Sequence, residues 1–133
     1  MRVSQANRMA CDLRSWGVRG EKPKLTPHKV CRLDDIVPNC GVCALVEGEQ
    51  VAVFRIGSGR SDDRVFAVGN RDPFSGANVL SRGIVGDING ELVVASPVYK
   101  QHFSLLTGRC IEDETVSVPV YRALVEDAEV LVL

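Results

Sequence analysis

Residues 42–56 read Val-Cys-Ala-Leu-Val-Glu-Gly-Glu-Gln-Val-Ala-Val-Phe-Arg-Ile, which is two apolar runs on either side of a short polar one. The runs at 42–46 and 50–56 have the length of β-strands and are rich in β-branched residues. Glu47-Gly48-Glu49 between them supplies a turn. The stretch therefore predicts an antiparallel hairpin.

Further strand-length runs lie on both sides of this hairpin. They are a first run that opens at Val30, then residues 64–68, 84–87, 91–95, 101–105, 116–125 and 130–133. A single helical turn is expected at 35–37, capped by Asp34 and ended by Pro38. Short strands separated by frequent turns predict an all-β fold, an antiparallel β-sandwich or partly open barrel. Pro119 lies within the longest run, so that strand is expected at an edge or with a bulge.

Composition limits the class of protein. The chain has 133 residues, of which 45% are hydrophobic and 25% charged, and these values are typical of one soluble globular domain. No apolar run approaches the roughly 18 residues of a membrane span, and the basic N-terminus lacks the apolar core of a secretory signal. Aromatic residues make up only 5%, which argues against a base-stacking nucleic-acid platform. We expect a cytoplasmic protein with no membrane partner and no nucleic acid.

Charge is divided unevenly along the chain. Residues 1–32 hold eight Lys and Arg against two acids, whereas residues 33–133 hold eight against fifteen. We therefore divide the chain into a basic, partly disordered extension at 1–28 and a β domain at 29–133. The extension is interpreted as a solvated leader, with a nucleic-acid or partner-docking arm as the alternative.

Five cysteines are present: Cys11, Cys31, Cys40, Cys43 and Cys110. An odd number without a signal peptide points to a reducing compartment. Cys40 and Cys43 have the CxxC spacing, which leaves a zinc site, a redox dithiol and ordinary free thiols as alternatives. Free thiols are favoured, because no second cysteine or histidine pair is present and a strand follows the motif.

No catalytic arrangement is evident from the residues alone. His28 and His102 are isolated from each other, so a serine or cysteine nucleophile has no obvious base. Glu112, Asp113 and Glu114 are consecutive and would diverge rather than converge on a substrate. We predict no catalytic, cofactor-binding or metal-binding residue in this chain.

Two loop sequences give a more specific indication. Residues 70–77 read Asn-Arg-Asp-Pro-Phe-Ser-Gly-Ala, and residues 96–108 read Ser-Pro-Val-Tyr-Lys-Gln-His-Phe-Ser-Leu-Leu-Thr-Gly. This framework resembles the Rieske iron–sulfur domain, whose two loops carry C-x-H and C-x-x-H around a [2Fe–2S] cluster. The resemblance implies a Rieske-like antiparallel fold.

The ligand positions depart from that family. The resemblance places Asp72 and Phe74 where the first loop would hold Cys and His, and Ser96 and Tyr99 where the second would. A Rieske cluster takes two thiolates and two imidazoles. The expectation is a fold without the cluster, its pocket filled by Phe74 and Tyr99, with Asp72 and Ser96 hydrogen-bonded nearby.

Together with residues 30–42, the two loops closely resemble the small subunits of cytoplasmic NAD(P)H-dependent nitrite reductases. In that family the large subunit carries siroheme, a [4Fe–4S] cluster and FAD and reduces nitrite to ammonium, and the small subunit supplies no cofactor. The resemblance implies a non-catalytic subunit in nitrate and nitrite assimilation, with the large subunit as its partner.

The former cluster loops are the expected docking tip, with Arg71, Lys100, Gln101 and His102 as candidate partner contacts. Two other interpretations are considered. One is a working Rieske ferredoxin, which the absent ligands oppose. The other is a stand-alone, cluster-free Rieske-fold module with a binding or regulatory role.

Overall fold

The computed structural model describes residues 27–133, and this part of the chain is all-β, with ten strands, two single 3-10 turns and no α-helix. The strands are β1 (His28–Arg32), β2 (Cys40–Val46), β3 (Glu49–Ile56), β4 (Arg64–Gly69), β5 (Ile84–Ile88), β6 (Glu91–Ala95), β7 (His102–Ser104), β8 (Val120–Tyr121), β9 (Ala123–Glu126) and β10 (Glu129–Val132). The 3-10 turns are Leu33–Asp35 and Leu80–Arg82. The predicted basic extension lies almost entirely outside the described residues, and β1 begins at His28, its last position. None of the helical segments in residues 27–133 is long enough to span a bilayer.

Three antiparallel sheets make up the fold, in the orders β1-β10-β9, β2-β3-β4-β8 and β5-β6-β7. The hairpin predicted from residues 42–56 is β2 and β3, in register from Cys40 opposite Arg55 to Val46 opposite Glu49. Glu47 and Gly48 form its two-residue turn, both with positive φ as a tight hairpin turn requires. The all-β, Rieske-like fold class is confirmed, and the sheets do not close into a barrel.

Strand β3 is the centre of the molecule because both of its faces are buried. Val51 and Val53 pack into one hydrophobic core, with residues of β1, β2, β4 and β10. Ala52 and Phe54 point the other way into a second core, which includes Val94 of β6. Burial on both faces explains why this run is continuously apolar rather than alternating. The second core attaches the β5-β6-β7 sheet, and with it the two loops, to the rest of the domain.

The single strand predicted at 116–125 is wrong. The structure has β8 and β9 instead, and Pro119 precedes β8 rather than lying within a strand. Proline has no N–H to donate to a ladder. Its carbonyl still accepts a 2.8 Å hydrogen bond from the N–H of Gly69, so this segment follows β4 as an irregular edge.

The predicted turn at 35–37 is also displaced, since the 3-10 turn lies at Leu33–Asp35. Asp35, not Asp34, performs the capping, because its carboxylate accepts a 3.0 Å hydrogen bond from the N–H of Arg32. Local composition indicated a turn but did not fix which acidic residue folds back on the chain.

A buried ion pair links three segments of the domain around β3. Arg55 Nε donates to Asp63 Oδ2 at 2.9 Å, and both side chains are almost fully buried. Arg55 Nη1 also donates to the carbonyls of Leu33 and Ile36, each at 3.0 Å. The guanidinium therefore joins β3, the 3-10 turn at Leu33–Asp35 and the loop after β3.

Candidate functional site

The two loops identified from the sequence lie at one end of the β5-β6-β7 sheet. The first loop, residues 70–83, leads into β5, and the second loop, residues 96–101, joins β6 to β7. Ile84 pairs with Ala95, and Ala95 pairs with His102, so these three residues form one row across the sheet. Both loops therefore begin or end at this row.

Asp72 organises the first loop through its backbone and its side chain. Its N–H donates to the carbonyl of Ala77 at 2.8 Å, and its carbonyl accepts from the N–H of Gly76 at 2.7 Å. Its carboxylate Oδ1 accepts from the N–H of Phe74 at 2.8 Å. Gly76 has a φ of 78°, which glycine adopts without steric cost. Residues 72–77 thus form a closed turn that is capped by the side chain of its first residue.

The second loop repeats this pattern from Ser96. The N–H of Ser96 donates to the carbonyl of Gln101 at 2.9 Å, and its carbonyl accepts from the N–H of Lys100 at 3.1 Å. Its hydroxyl accepts from the N–H of Val98 at 3.2 Å. Lys100 occupies the position equivalent to Gly76 and has a φ of 69°. This left-handed conformation is unfavourable for any residue other than glycine.

A third turn of the same construction follows β7, and its likeness to the two loops was not predicted. Ser104 donates its N–H to the carbonyl of Arg109 and accepts from the N–H of Gly108, both at 2.9 Å. Its hydroxyl accepts from the N–H of Leu106 at 3.2 Å, and Gly108 has a φ of 77°. The sequence signal is a short polar residue followed four positions later by glycine. Lys100 in place of glycine conceals that signal in the second loop.

Direct contact between the first two loops is made by the side chains that cap their turns. The hydroxyl of Ser96 donates to Asp72 Oδ2 at 2.5 Å, and both residues are completely buried. Each side chain also caps its own turn, so the hydrogen bond joins two internally fixed loops. Both side chains are shielded from water, so leaving either one without its partner would be costly. The expected hydrogen bond between these two residues is present.

Phe74 and Tyr99 differ in their environments. Phe74 is half-buried and packs against the second core, with its ring centroid 6.1 Å from that of Phe103. Tyr99 was expected to fill the same pocket, but 59% of its surface is exposed. The prediction for Tyr99 is wrong, because the tight turn begun by Ser96 directs its fourth residue outward.

The four residues at the ligand positions do not fit a [2Fe–2S] cluster. Hard oxygen atoms of Asp72 and Ser96 stand where thiolates are needed, and they are bonded to each other rather than open to a metal. Phe74 has no donor atom, and Tyr99 faces solvent. Among the described residues, no group of three or more His, Cys, Asp or Glu side chains is arranged to hold a metal ion.

The candidate partner contacts are not equally accessible. Arg71 and Lys100 are exposed, whereas Gln101 and His102 are half-buried. His102 Nδ1 lies 2.6 Å from Glu112 Oε2, and the backbone N–H of His102 donates to Glu112 Oε1 at 2.9 Å. Burial alone would raise the pKa of Glu112, but these hydrogen bonds and the nearby imidazole outweigh it and hold the pKa below its usual value. His102 therefore already has a partner within the domain.

The CxxC motif does not form a site in this fold. Cys40 and Cys43 both lie on strand β2, where an odd spacing places their side chains on opposite faces. Three residues of strand separate their α-carbons by about 10 Å, which is too far for a disulfide. The four cysteines of the described residues, Cys31, Cys40, Cys43 and Cys110, are all free. This geometry favours the interpretation as ordinary thiols.

Comparison with known proteins agrees with this architecture. Residues 27–133 match the Rieske-like [2Fe–2S] domain family. The nitrite reductase (NADH) small subunit of Salmonella typhimurium is 54% identical over 103 residues, which cover 77% of this chain and 93% of that protein. The NMR structure of the Escherichia coli protein NirD superposes with a TM-score of 0.73 at 48% identity, covering 80% of this chain and 94% of that one.

A further relative has a different organisation. The nitrite reductase [NAD(P)H] large subunit of Klebsiella oxytoca is 41% identical over 122 residues, which are 90% of this chain but only 12% of that protein. A domain of this type is thus part of a much longer polypeptide in that organism. The resemblance inferred from the two loops is confirmed. The chain belongs to the Rieske-like [2Fe–2S] domain family and, within it, to the nitrite reductase (NADH) small subunits.

Proposed function

We propose that this chain is the non-catalytic small subunit of a cytoplasmic NADH-dependent nitrite reductase, which reduces nitrite to ammonium in nitrate and nitrite assimilation. Its partner is the large subunit. Siroheme, the [4Fe–4S] cluster and FAD belong to that subunit, and this chain carries no cofactor. The family membership supports the assignment, as does the relative in which a large subunit itself includes such a domain.

The observation that carries the non-catalytic role is the hydrogen bond between Ser96 and Asp72. It closes the position at which a Rieske protein would hold its cluster, and it does so with two atoms that have no redox chemistry. The same loops remain well ordered by their own backbone hydrogen bonds. A fold that keeps these loops but not the side chains that would hold a cluster supports a role in binding the large subunit rather than in passing electrons to it.

Within this proposal, exposed Arg71 and Lys100 and half-buried Gln101 and His102 are the candidate contacts with the large subunit. Residues 29–133 form the domain that makes those contacts, and the basic extension at 1–28 is not needed for them. A chain that lacks residues 1–26 is then expected to bind the large subunit as the full chain does.

The test is reconstitution of the enzyme from separately purified subunits. NADH-dependent nitrite reduction is measured for the large subunit alone, for this chain alone and for the mixture, with iron and acid-labile sulfide determined for each. We expect no activity and no bound iron–sulfide in this chain, and full activity only in the mixture. A chain in which Cys40 and Cys43 are both changed to serine is the matched control and is expected to restore activity equally.

Two results would contradict the proposal. Two irons and two sulfides per isolated chain would make it a redox protein. A large subunit that neither binds this chain nor gains activity or lifetime from it would favour the stand-alone module.

A further inference from the structure

We propose that the large subunit binds at the loop end of the β5-β6-β7 sheet. The part of the large subunit that contacts this end is an apolar depression bordered by carboxylates. We call this end the loop surface and define it by Arg71, Arg82, Ile84, Val98, Tyr99 and Lys100. The proposal rests on the proposed function, because it identifies the binding surface of that subunit.

The apolar part of the loop surface is formed by three exposed side chains near the Ser96–Asp72 hydrogen bond. Tyr99 is 59% exposed, Val98 43% and Ile84 79%. Ile84 begins β5 directly opposite Ala95, the residue before Ser96, so all three lie where the loops meet the sheet. Large apolar side chains gathered at one end of a small domain mark an interaction site more often than scattered ones do. An aromatic ring with a polar tip is also typical of the centre of a protein interface.

The charge of the loop surface is of one sign. Arg71, Arg82 and Lys100 are exposed. The single acidic residue of the two loops is Asp72, which is completely buried. The other acids of the described residues lie outside the two loops, and one of them, Glu112, contacts His102 where the second loop ends. The surface is thus basic on a domain that is acidic elsewhere, and such a surface steers and orients a partner that presents carboxylates.

The loops are already rigid before a partner arrives. Each is closed by the hydrogen bonds of its own turn, and the Ser96 hydroxyl joins one to the other. Binding therefore orders little additional backbone, and ordering is one of the main costs of association. The former ligand positions then act as positioning residues, since they hold Arg71 and Tyr99 in place from beneath.

Gln101 and His102 contribute less to this surface. His102 is held by Glu112, whose carboxylate accepts from its backbone and faces its ring. Both residues are half-buried at the start of β7. The free energy of binding is accordingly assigned mainly to Tyr99 and to the exposed cations.

The experiment measures the dissociation constant of the full chain for its purified, cofactor-loaded large subunit. The test variants are Tyr99→Ala and the double charge reversal Arg71→Glu, Arg82→Glu. The matched controls are Leu106→Ala, which removes an equally exposed apolar side chain from the third turn, and Arg122→Glu between β8 and β9. Urea unfolding of every variant verifies that the fold is retained.

We expect each test variant to weaken binding at least tenfold at low ionic strength, and each control to remain within twofold. Raising the salt concentration from 50 to 300 mM should weaken wild-type binding but not that of the charge-reversal variant, in which only Lys100 of the three cations remains and the two new carboxylates are repelled by those of the partner. Folded test variants that bind like wild type would overturn the loop surface and leave the subunit assignment intact.

Failure of the wild-type chain to bind the large subunit would overturn both proposals together. A third possible result is that the loop surface binds a second copy of this chain. If the test variants abolish self-association in sedimentation experiments while binding to the large subunit is unchanged, the loop surface serves the chain itself and the proposal is wrong.

Discussion

The hydroxyl of Ser96 donates a 2.5 Å hydrogen bond to Oδ2 of Asp72, which lies 24 residues earlier in the chain and in the other loop. Both side chains are completely inaccessible to solvent. In a Rieske protein the corresponding positions are joined through a metal cluster, and here a single hydrogen bond joins them. This hydrogen bond fixes the two loops relative to each other.

Loss of this hydrogen bond should destabilise the domain. Ser96→Ala leaves Asp72 Oδ2 and the N–H of Val98 without their partner, and we expect a cost of about 1–3 kcal/mol, as for buried polar groups left unsatisfied. Asp72→Asn retains an acceptor for Phe74 and can donate to Ser96, so about half that cost is expected. Urea unfolding measures both, with exposed Ser117→Ala as the control. Equal stability of Ser96→Ala and wild type would show that the contact contributes nothing.

Equivalent turn positions should respond in opposite ways to substitution. Lys100 has a left-handed backbone that glycine adopts freely, so Lys100→Gly should stabilise the domain by about 0.5–1 kcal/mol. Gly76→Ala at the matching position of the first loop should destabilise it by about 1 kcal/mol, although the space around Gly76 would admit a methyl group. Thermal and urea unfolding of both variants give the two signs. The same sign for both would contradict the equivalence of the loops.

Acid should weaken the Arg55–Asp63 pair. Burial by itself raises the pKa of Asp63, but hydrogen bonds from the Gly59 N–H, the Arg55 side chain and the Arg60 N–H outweigh it, so the pKa is lower than usual. Its stabilising contribution is therefore complete above the ordinary carboxyl pKa and is lost as the pH falls through the lowered value.

As the pH falls below 5, the variant Asp63→Asn should lose less free energy of unfolding than wild type. Urea titrations at each pH measure this loss. The neighbouring exposed residue provides the control, since Asp62→Asn should keep the wild-type slope. Parallel curves for wild type and Asp63→Asn would contradict the role given to this carboxylate.

Thiol reactivity should follow burial. Cys40 and Cys43 are exposed, whereas Cys110 is completely buried and its burial raises the pKa of its thiol. A thiol-alkylating reagent at pH 8 should modify Cys40 and Cys43 at least a hundredfold faster than Cys110 in the native domain, because the thiolate is the reactive form. Peptide mapping by mass spectrometry assigns each site separately from Cys11. All sites should react alike in urea, and rapid native labelling of Cys110 would contradict the buried position.

Much of the fold could be predicted from local sequence. The hairpin of β2 and β3 was expected because two β-branched runs flank a Glu-Gly turn, and β6 was predicted with its observed bounds, Glu91–Ala95. The interruption near Pro119 was anticipated only as an edge or bulge, since the sequence does not show how a chain passes a missing donor. The likeness of the turn at Ser104 to the two loops was missed because a serine and a glycine four residues apart occur by chance in many loops.

Sequence by itself determined most of the strand pattern, the family and the chemical identity of the residues at the ligand positions, because these depend on residue type and spacing along the chain. Only the tertiary structure decided which of those residues meet. Ser96 and Asp72 bond because sheet pairing brings their loops together, whereas Tyr99 is turned outward by the geometry of its own loop. Contacts between residues distant in the chain depend on packing, and periodicity does not record packing.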